Sequence, residues 1–225
     1  MNMRVAVVAY RNDALTERCV KSLNAVDEND IVIYDNATEE STAKLAADMG
    51  TGYRKLNRVP LAAVWNRACV DAFEEHREVF ILNNDTWGFE GMNALEYAIE
   101  GNRSTHGVFF IHQIPQKLYQ PHPSWFAAFV MTDWCFRDVG PFDEEFEICN
   151  FEDDDYMVRL MLKHVKTGYV TGCTMLHDIG ASSDRSDTAR WDAFTRNAQR
   201  FAQKWGFPRV RKEDADFVFP NMSVF

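Results

Sequence analysis

The residues that decide the fold are 79–85, which read VFILNND. The four apolar residues at the start of this stretch predict a short buried strand, and the run stops abruptly at Asn83-Asn84-Asp85. Ligands of open α/β sheets bind at the carboxyl ends of the strands. We therefore expect the three polar residues to lie at a ligand site.

Short apolar runs alternate with amphipathic segments on both sides of this strand. The alternation is typical of parallel strands joined by helices, and the second half of the chain is mixed rather than purely parallel. The predicted strands are residues 4–10, 30–34, 79–82, 108–111, 126–131 and 168–176. The predicted helices are residues 15–24, 41–49, 62–75, 93–100, 152–164 and a C-terminal amphipathic segment, 191–205. We expect an α/β fold with a mixed central sheet.

The composition indicates one folded domain. The chain has 225 residues, of which 46% are hydrophobic, and this suits a single α/β domain with a large core. The formal net charge of -10 argues against a protein that holds nucleic acid by bulk electrostatics, because phosphate binding needs a concentrated basic surface.

Cysteine usage and hydropathy bear on the compartment. The five cysteines form no CxxC pair and no zinc-finger spacing, and their odd number fits poorly with a disulfide framework. The first ten residues suit a strand better than a signal peptide. No run approaches the roughly 18 apolar residues of a membrane span. We expect a reduced, cytoplasmic protein with at most peripheral membrane contact.

Asp85 is the candidate metal ligand of the polar triplet. Mg²⁺ and Mn²⁺ commonly take one or two protein carboxylates and complete their shell with substrate phosphates and water. The alternative is that Asn83 and Asp85 only cap a turn before Trp87-Gly88. The triplet alone does not decide between the two.

A second constellation is the acidic stretch 149–160, CNFEDDDYMVRL. Carboxylates at the start of a helix are stabilised by its dipole, so the stretch can be an ordinary acidic helix start. Crowded carboxylates also repel one another, and such crowding raises the pKa of a base. The stretch therefore supplies a candidate catalytic base.

A third constellation is residues 174–183, TMLHDIGASS, in which His177 follows a predicted strand directly. A histidine at a strand end is often only a hydrogen-bonded structural residue. Its neutral imidazole suits Mn²⁺ better than Mg²⁺ or Ca²⁺. His177 is therefore a candidate second metal ligand.

In this order, the segments resemble the family 2 glycosyltransferases and their GT-A relatives. The segments that carry the resemblance are VVAYRND, IVIYDNAT, LNRVPLAAVWNRA, FILNND, DVGPFDEEFEICNFEDDDYMVRL and LHDIGASS. The likeness covers roughly residues 3–185 and is most specific at 140–159. It implies a GT-A fold, with a Rossmann-like nucleotide-binding half.

The resemblance also implies a division of labour within one domain that spans residues 1–225. Residues 1–100 would bind the nucleotide sugar, residues 101–185 would form the acceptor and catalytic half, and residues 186–225 would form an amphipathic helix and tail.

The donor implied by the resemblance is a nucleotide sugar, UDP- or GDP-linked. Asp35 would contact the nucleotide base, while Asp85 and His177 would hold Mn²⁺ or Mg²⁺. The DXD-like motif of the family corresponds to Asn83-Asn84-Asp85, with Asn in place of its first Asp. The expected donor-binding residues are Tyr10, Asp35, Asn66, Asn83, Asn84 and Arg185.

The reaction implied is an inverting transfer to an acceptor hydroxyl. Asp153 would take the hydroxyl proton as the oxygen attacks the anomeric carbon, and Glu152 would complete the catalytic pair. The metal would neutralise the charge of the leaving diphosphate. Trp125 and Asp154 are the expected acceptor contacts.

Other functions stay open on the sequence. A nucleotidyltransferase normally needs a Gly-rich phosphate loop after the first strand, and AYRNDAL contains no Gly. A non-catalytic GT-A module that binds a glycan or nucleotide keeps the same residues. A transferase acting on hydroxymethylated bases of DNA is disfavoured by the acidity of the chain.

One basic row lies on the predicted C-terminal helix. Arg196, Arg200 and Lys204 are four residues apart and share one face. Such a row is usually a solvated face. The alternative is a docking surface for an anionic acceptor such as a phospholipid, a phosphorylated glycan or nucleic acid.

Overall fold

The computed structural model describes residues 3–37, 41–114, 125–181, 188–206 and 222–225. The strands in these ranges are β1 (Met3–Ala9), β2 (Ile31–Asp35), β3 (Gly52–Lys55), β4 (Glu78–Asn83), β5 (Thr86–Glu90), β6 (His106–Gln113), β7 (Ala128–Met131), β8 (Lys166–His177) and β9 (Met222–Val224). The helices are α1 (Asp13–Ser22), α2 (Ser41–Asp48), α3 (Leu61–Glu74), α4 (Met92–Asn102), α5 (Asp133–Val139), α6 (Glu152–Leu162) and α7 (Thr188–Trp205).

The nine strands of the described ranges form one mixed sheet in the order β3-β2-β1-β4-β7-β6-β8-β5, and β9 pairs with β8. Strands β1 to β4 run parallel, whereas β7 is antiparallel to both β4 and β6. Strand β8 is parallel to β6 and antiparallel to β5. The expectation of an α/β fold with a mixed central sheet is confirmed.

Helices cover both faces of the sheet, and this explains the apolar runs. Along β1, Val5 and Val7 belong to the core beneath α1 and α4, while Ala6 and Val8 belong to the core beneath α3 and α5. A strand buried on both faces needs apolar residues at successive positions. Trp65 is the largest fully buried side chain on the α3 side.

Strand β1 is the point where the order of the sheet reverses. The chain runs from β1 outward to β2 and β3, then returns through α3 to β4 on the other side of β1. Such a reversal opens a crevice beyond the carboxyl ends of the two central strands. Ala9 ends β1, and Asn83 ends β4, so the polar triplet lies at this crevice, as expected.

The structure differs from the sequence prediction where tertiary contacts decide the local conformation. Residues 86–90, to which no element was assigned from the sequence, form β5, because β8 offers them an antiparallel edge. Strand β3 is a short polar edge strand, and α5 is a seven-residue helix, and neither was predicted. The predicted strand 126–131 begins with a turn of 3₁₀ helix, Trp125–Ala127. None of the helices in the described ranges has both the length and the apolar composition needed to cross a membrane.

Candidate functional site

A cavity of about 550 Å³ lies at the carboxyl ends of the central strands. It is lined by residues that follow β1, β4 and β8, by the first turn of α6, and by the loops at residues 58–61 and 147–150. It therefore joins the three constellations that the sequence singled out. Of the candidate site residues, those that line it are Tyr10, Asn83, Asn84, Asp85, Glu152, Asp153 and His177.

Asp85 and His177 lie side by side at one wall of the cavity. The Oδ1 atom of Asp85 is 3.3 Å from Nε2 of His177, and both side chains are buried. They meet because Thr86 of β5 pairs with His177 at the end of β8. Among the described residues, no group of three His, Cys, Asp or Glu side chains forms a candidate metal site. The protein thus presents two ligand groups here.

Arg18 of α1 contacts the residues next to this pair. Its guanidinium pairs with the carboxylate of Asp178 and lies 4.6 Å from the ring centre of Trp87. The N–H of Asp178 donates a hydrogen bond of 2.9 Å to the carbonyl of Asp85. The residue after His177 is therefore tied both to α1 and to the backbone of Asp85, which helps to hold the two backbone segments together.

The two asparagines of the triplet have different environments. Asn84 donates through Nδ2 to the carbonyl of Arg11 at 3.2 Å and to the Thr16 hydroxyl at 3.0 Å, so it holds the end of β4 against the start of α1. The Oδ1 atom of Asn83 is buried, and it has no hydrogen-bond partner in the described part of the chain. A buried acceptor of this kind is costly unless a ligand satisfies it.

The cavity is also lined by the acidic pair at the start of α6. Glu152 is 3% exposed, and burial together with the nearby charge of Asp153 raises the pKa of its carboxyl well above the usual 4.5. Asp153 is half-buried, and its Oδ1 accepts a hydrogen bond of 2.9 Å from the N–H of Asp154. Burial therefore favours the protonated form of Glu152, while Asp153 is the more accessible member of the pair.

The segment before this pair has an unusual backbone. Ile148, Asn150 and Phe151 all have positive φ, at 59°, 79° and 76°. Residues other than Gly, and β-branched residues above all, seldom adopt this region, at a cost of roughly 1–3 kcal/mol each. Such strain persists only where surrounding contacts impose it, and it is common at ligand sites.

Asp35 is not among the residues that line the cavity, and its expected contact with the nucleotide base stays a prediction. It is fully buried at the end of β2, and its carboxylate accepts hydrogen bonds from the Tyr53 hydroxyl at 2.8 Å, Lys55 Nζ at 2.8 Å and the Ala37 N–H at 2.9 Å. These internal partners occupy the oxygens. Its neighbour Asn36 lines the cavity instead.

Asn66 is also bonded within the protein, and its expected role in donor binding stays a prediction. Its Nδ2 donates to the carbonyl of Phe142 at 2.9 Å and to Glu144 Oε1 at 2.8 Å, and its Oδ1 accepts from the N–H of Phe142 at 2.8 Å. The side chain therefore joins α3 to the loop after α5. It is not among the residues that line the cavity.

The remaining predicted contacts divide into three cases. Tyr10 follows β1 and lines the cavity, as expected for a residue near the base pocket. Asp154 is in the first turn of α6 but outside the cavity lining, so a direct acceptor contact has no support. The backbone of Trp125 is described as part of a 3₁₀ turn, and its side chain lies outside the description. Arg185 lies outside the described residues.

The basic row on α7 is paired with acidic residues of the same chain. The pairs are Arg196 with Glu147, Arg200 with Asp143 and Glu145, and Lys204 with Asp143 and Asp155. These contacts hold α7 against residues 143–155, beside the cavity. The row is therefore neither a simple solvated face nor a free anion site.

Sequence reasoning missed three arginines that line the cavity: Arg11, Arg58 and Arg190. Arg11 directly follows Tyr10 in the quoted segment VVAYRND, so its position after β1 was a usable signal. Arg58 has positive φ in the loop before α3. Arg190 comes from the first turn of α7, far from the strand ends in sequence, and no local pattern marks it. The three positive charges suit an anionic ligand.

Comparison with solved structures assigns the fold. The chain is similar to GalNAc-T7 with UDP, GalNAc and Mn²⁺, at TM-score 0.62 and 12% identity over 78% of this chain and 43% of that one. It is similar to glucosyl-3-phosphoglycerate synthase from Mycobacterium tuberculosis with Mn²⁺, UDP and phosphoglyceric acid, at TM-score 0.57 and 12% identity over 92% and 80%. The catalytic domain of Drosophila β1,4-galactosyltransferase 7 with xylobiose matches at TM-score 0.51 and 13% identity over 74% and 63%.

These likenesses show that the chain has a GT-A-like nucleotide-sugar transferase fold. No family model and no curated protein sequence matches the chain. The chain spans less than half the length of the GalNAc-T7 chain that it matches.

Proposed function

We propose that this protein transfers a sugar from a nucleoside-diphosphate sugar to an acceptor hydroxyl with the help of a divalent cation. The observation that carries the proposal is one cavity, at the strand ends of a GT-A-like fold, that is lined by both the Asp85–His177 pair and the Glu152–Asp153 pair. Structures with this fold that resemble the chain hold UDP and Mn²⁺.

The donor set fits a cation such as Mn²⁺ or Mg²⁺. Adjacent ligands of an octahedral ion lie roughly 3 Å apart, since each bond is about 2.1 Å. The 3.3 Å between Asp85 Oδ1 and His177 Nε2 suits that separation. Two protein ligands leave positions for diphosphate oxygens and water, and an imidazole favours Mn²⁺. When bound, the cation supplies a Lewis acid for the diphosphate leaving group.

The nucleotide sugar would enter between the ends of β1 and β4. Tyr10 offers an aromatic face at that entrance, and Asn83 offers its buried Oδ1 to a hydroxyl of the donor. Arg11 and Arg58 bring positive charge to the same wall, which suits a diphosphate. The proposed role of Arg185 at the diphosphate rests on its place after the His177 loop in the sequence.

Proton transfer would fall to Asp153. Because Glu152 is buried, which favours its protonated form, the more accessible Asp153 is the member of the pair proposed to accept the proton of an acceptor hydroxyl. The hydroxyl oxygen would attack the anomeric carbon on the side opposite the diphosphate. Direct displacement of this kind inverts the anomeric configuration, and inversion is part of the proposal.

The proposed compartment is a reducing one, the cytoplasm. All five cysteines are free, and four of them are buried. Thiols of this kind persist where disulfides do not form.

The test measures nucleotide binding and turnover separately. Thermal unfolding of wild type and Asp85→Asn is followed with UDP, GDP, CDP, ADP and dTDP, each with and without Mn²⁺. A nucleotide at about one hundred times its dissociation constant stabilises the fold by about 2.7 kcal/mol. The expected result is a Mn²⁺-dependent shift with one nucleotide that is absent in Asp85→Asn. Release of that nucleotide from its sugar conjugates then reports turnover.

The outcomes separate the two classes of function. A nucleotide-specific shift with turnover that Asp153→Asn abolishes supports the transferase. The same shift without turnover on a broad donor and acceptor panel supports a non-catalytic binding module. If none of the nucleotides shifts the unfolding temperature, both the transferase and the binding module are contradicted.

A further inference from the structure

Asn197 of α7 is buried against the segment that precedes the acidic pair. It is 1% exposed, and its Nδ2 lies 2.9 Å from the carbonyl of Glu147, 3.2 Å from that of Cys149 and 3.1 Å from that of Asn150. Its Oδ1 accepts a hydrogen bond of 2.9 Å from the N–H of Glu147. One side chain therefore satisfies both the donor and the acceptors of an irregular stretch.

That stretch has no ladder or helix to satisfy its own backbone. Buried backbone N–H and C=O groups need partners, and irregular segments take them from side chains. Ile148 lies between the groups that Asn197 holds, and its carbonyl accepts from the N–H of Leu61 at 2.8 Å. Asn197 on one side and α3 on the other thus hold residues 147–150, a segment in which Ile148 and Asn150 have positive φ.

The held segment leads directly into the acidic pair. Phe151 is the N-cap of α6, and its carbonyl accepts from the N–H of Asp155 at 2.9 Å. The N–H of Asn150 is hydrogen-bonded to the carboxyl of Glu152. A shift of residues 147–151 would therefore displace both the start of α6 and the Glu152 side chain.

We propose that Asn197 is a positioning residue that sets Glu152 and Asp153 in the cavity by holding residues 147–150. Its effect on catalysis rests on the proposed function, whereas its effect on the segment does not. The competing interpretation is that Asn197 only anchors α7 to the rest of the fold. The two interpretations predict different effects of a substitution at Asn197. Loss of a helix anchor lowers the stability of all of α7, whereas loss of a positioning residue loosens residues 147–150.

Local opening is the first readout, and it needs no substrate. Cys149 is the one cysteine of the five that is not buried, so its alkylation by N-ethylmaleimide reports on the segment. The expected result is that Asn197→Ala accelerates Cys149 alkylation and hydrogen exchange of the Glu147 amide by about tenfold or more. Exchange of amides within β1 and β4 stays at the wild-type rate.

Two variants of the same helix serve as matched controls. Ala193→Gly weakens α7 through its helix propensity and keeps every hydrogen bond of Asn197. Arg196→Ala removes the exposed ion pair with Glu147, one residue away. Neither control is expected to change Cys149 alkylation by more than about twofold. If Asn197→Ala does not fold, Asn197→Ser, which replaces the carboxamide by one shorter hydroxyl, takes its place.

Turnover is the second readout. With the nucleotide and Mn²⁺ found by the binding screen, Asn197→Ala keeps the thermal shift and the KM for the donor but loses about tenfold or more in kcat. Alkylation of Cys149 at the control rate in Asn197→Ala overturns the proposal, whatever the turnover. Fast alkylation with normal kcat also overturns it. If alkylation of Asn197→Ala is fast but the wild-type protein binds no nucleotide, Asn197 does hold residues 147–150, and the proposed transferase function is overturned.

Discussion

Replacing Glu152 by Gln should change how the stability of the protein depends on pH. Glu152 is buried at the cavity wall, and burial and the charge of Asp153 raise the pKa of its carboxyl well above the usual 4.5. Gln has nearly the same shape and is neutral at every pH. The variant therefore removes the titration and keeps the packing.

The magnitude follows from the extra proton that the folded state binds. Below pH 4.5 the carboxyl of Glu152 is protonated in both the folded and the unfolded state, and its favourable contribution is fully present. Above that pH only the unfolded chain loses the proton, so the free energy of unfolding falls by about 1.36 kcal/mol per pH unit until the raised pKa is passed. The stability of Glu152→Gln lacks this fall. The Tm of the variant should therefore rise relative to that of wild type by about 3–5 °C for each pH unit.

The assay is thermal or urea unfolding of both proteins at half-unit steps from pH 5 to pH 8. Glu147→Gln is the matched control, because Glu147 is exposed and its ion pair with Arg196 lowers the pKa of its carboxyl. The stability due to Glu147 is lost only as the pH falls through that lowered pKa. Its variant should therefore run parallel to wild type over this range. Equal slopes for wild type and Glu152→Gln would show that Glu152 is ionised in the fold and would refute the reasoning.

Three further predictions test other parts of the site. His177→Ala should raise the Mn²⁺ concentration needed for the nucleotide-dependent thermal shift by about tenfold or more, and an unchanged Mn²⁺ titration would remove His177 from the metal site. Asp153→Asn should keep nucleotide binding and lower kcat by about 10²–10⁴-fold, whereas a normal kcat would place the base elsewhere. Asn66→Ala should lower the free energy of unfolding by about 1–3 kcal/mol, because it leaves the buried backbone groups of Phe142 without partners. The dissociation constant of the variant for the nucleotide should equal that of wild type. A larger dissociation constant would indicate that Asn66 contacts the donor.

The elements predicted correctly are those whose sequence pattern is imposed by burial. Strands β1, β2 and β4 are buried on both faces, so their apolar runs are unbroken and their ends are marked by the first polar residue. The elements missed are short or lie at an edge. In β3, Tyr53 and Lys55 alternate with exposed positions, and a four-residue polar strand carries little signal of its own.

The predicted site residues show the same limit. Ligands of open α/β sheets bind at the carboxyl ends of the strands, and this rule placed Tyr10, Asn83 and Asp85 correctly at the cavity. It works because position in a parallel strand fixes which sheet edge a residue occupies. The rule also placed Asp35 there, but it could not show that Tyr53 and Lys55 already occupy that carboxylate. Whether a polar side chain meets a ligand or an internal partner depends on residues far away in the chain.

The proximity of Asp85 and His177 is an example of a site feature that depends on contacts between distant parts of the chain. Both residues follow predicted strands, yet nothing in either segment states that the two strands end at the same wall. The link is β5, whose Thr86 pairs with His177 and so sets the register of β8. Because side chains alternate across a strand, a slip of one residue would turn the imidazole to the other face of the sheet. The same register ties Asp178 to the carbonyl of Asp85. The candidate metal site therefore depends on β5, a strand that was not predicted from the sequence, and the pairing of β5 with β8 brings the carboxylate and the imidazole together.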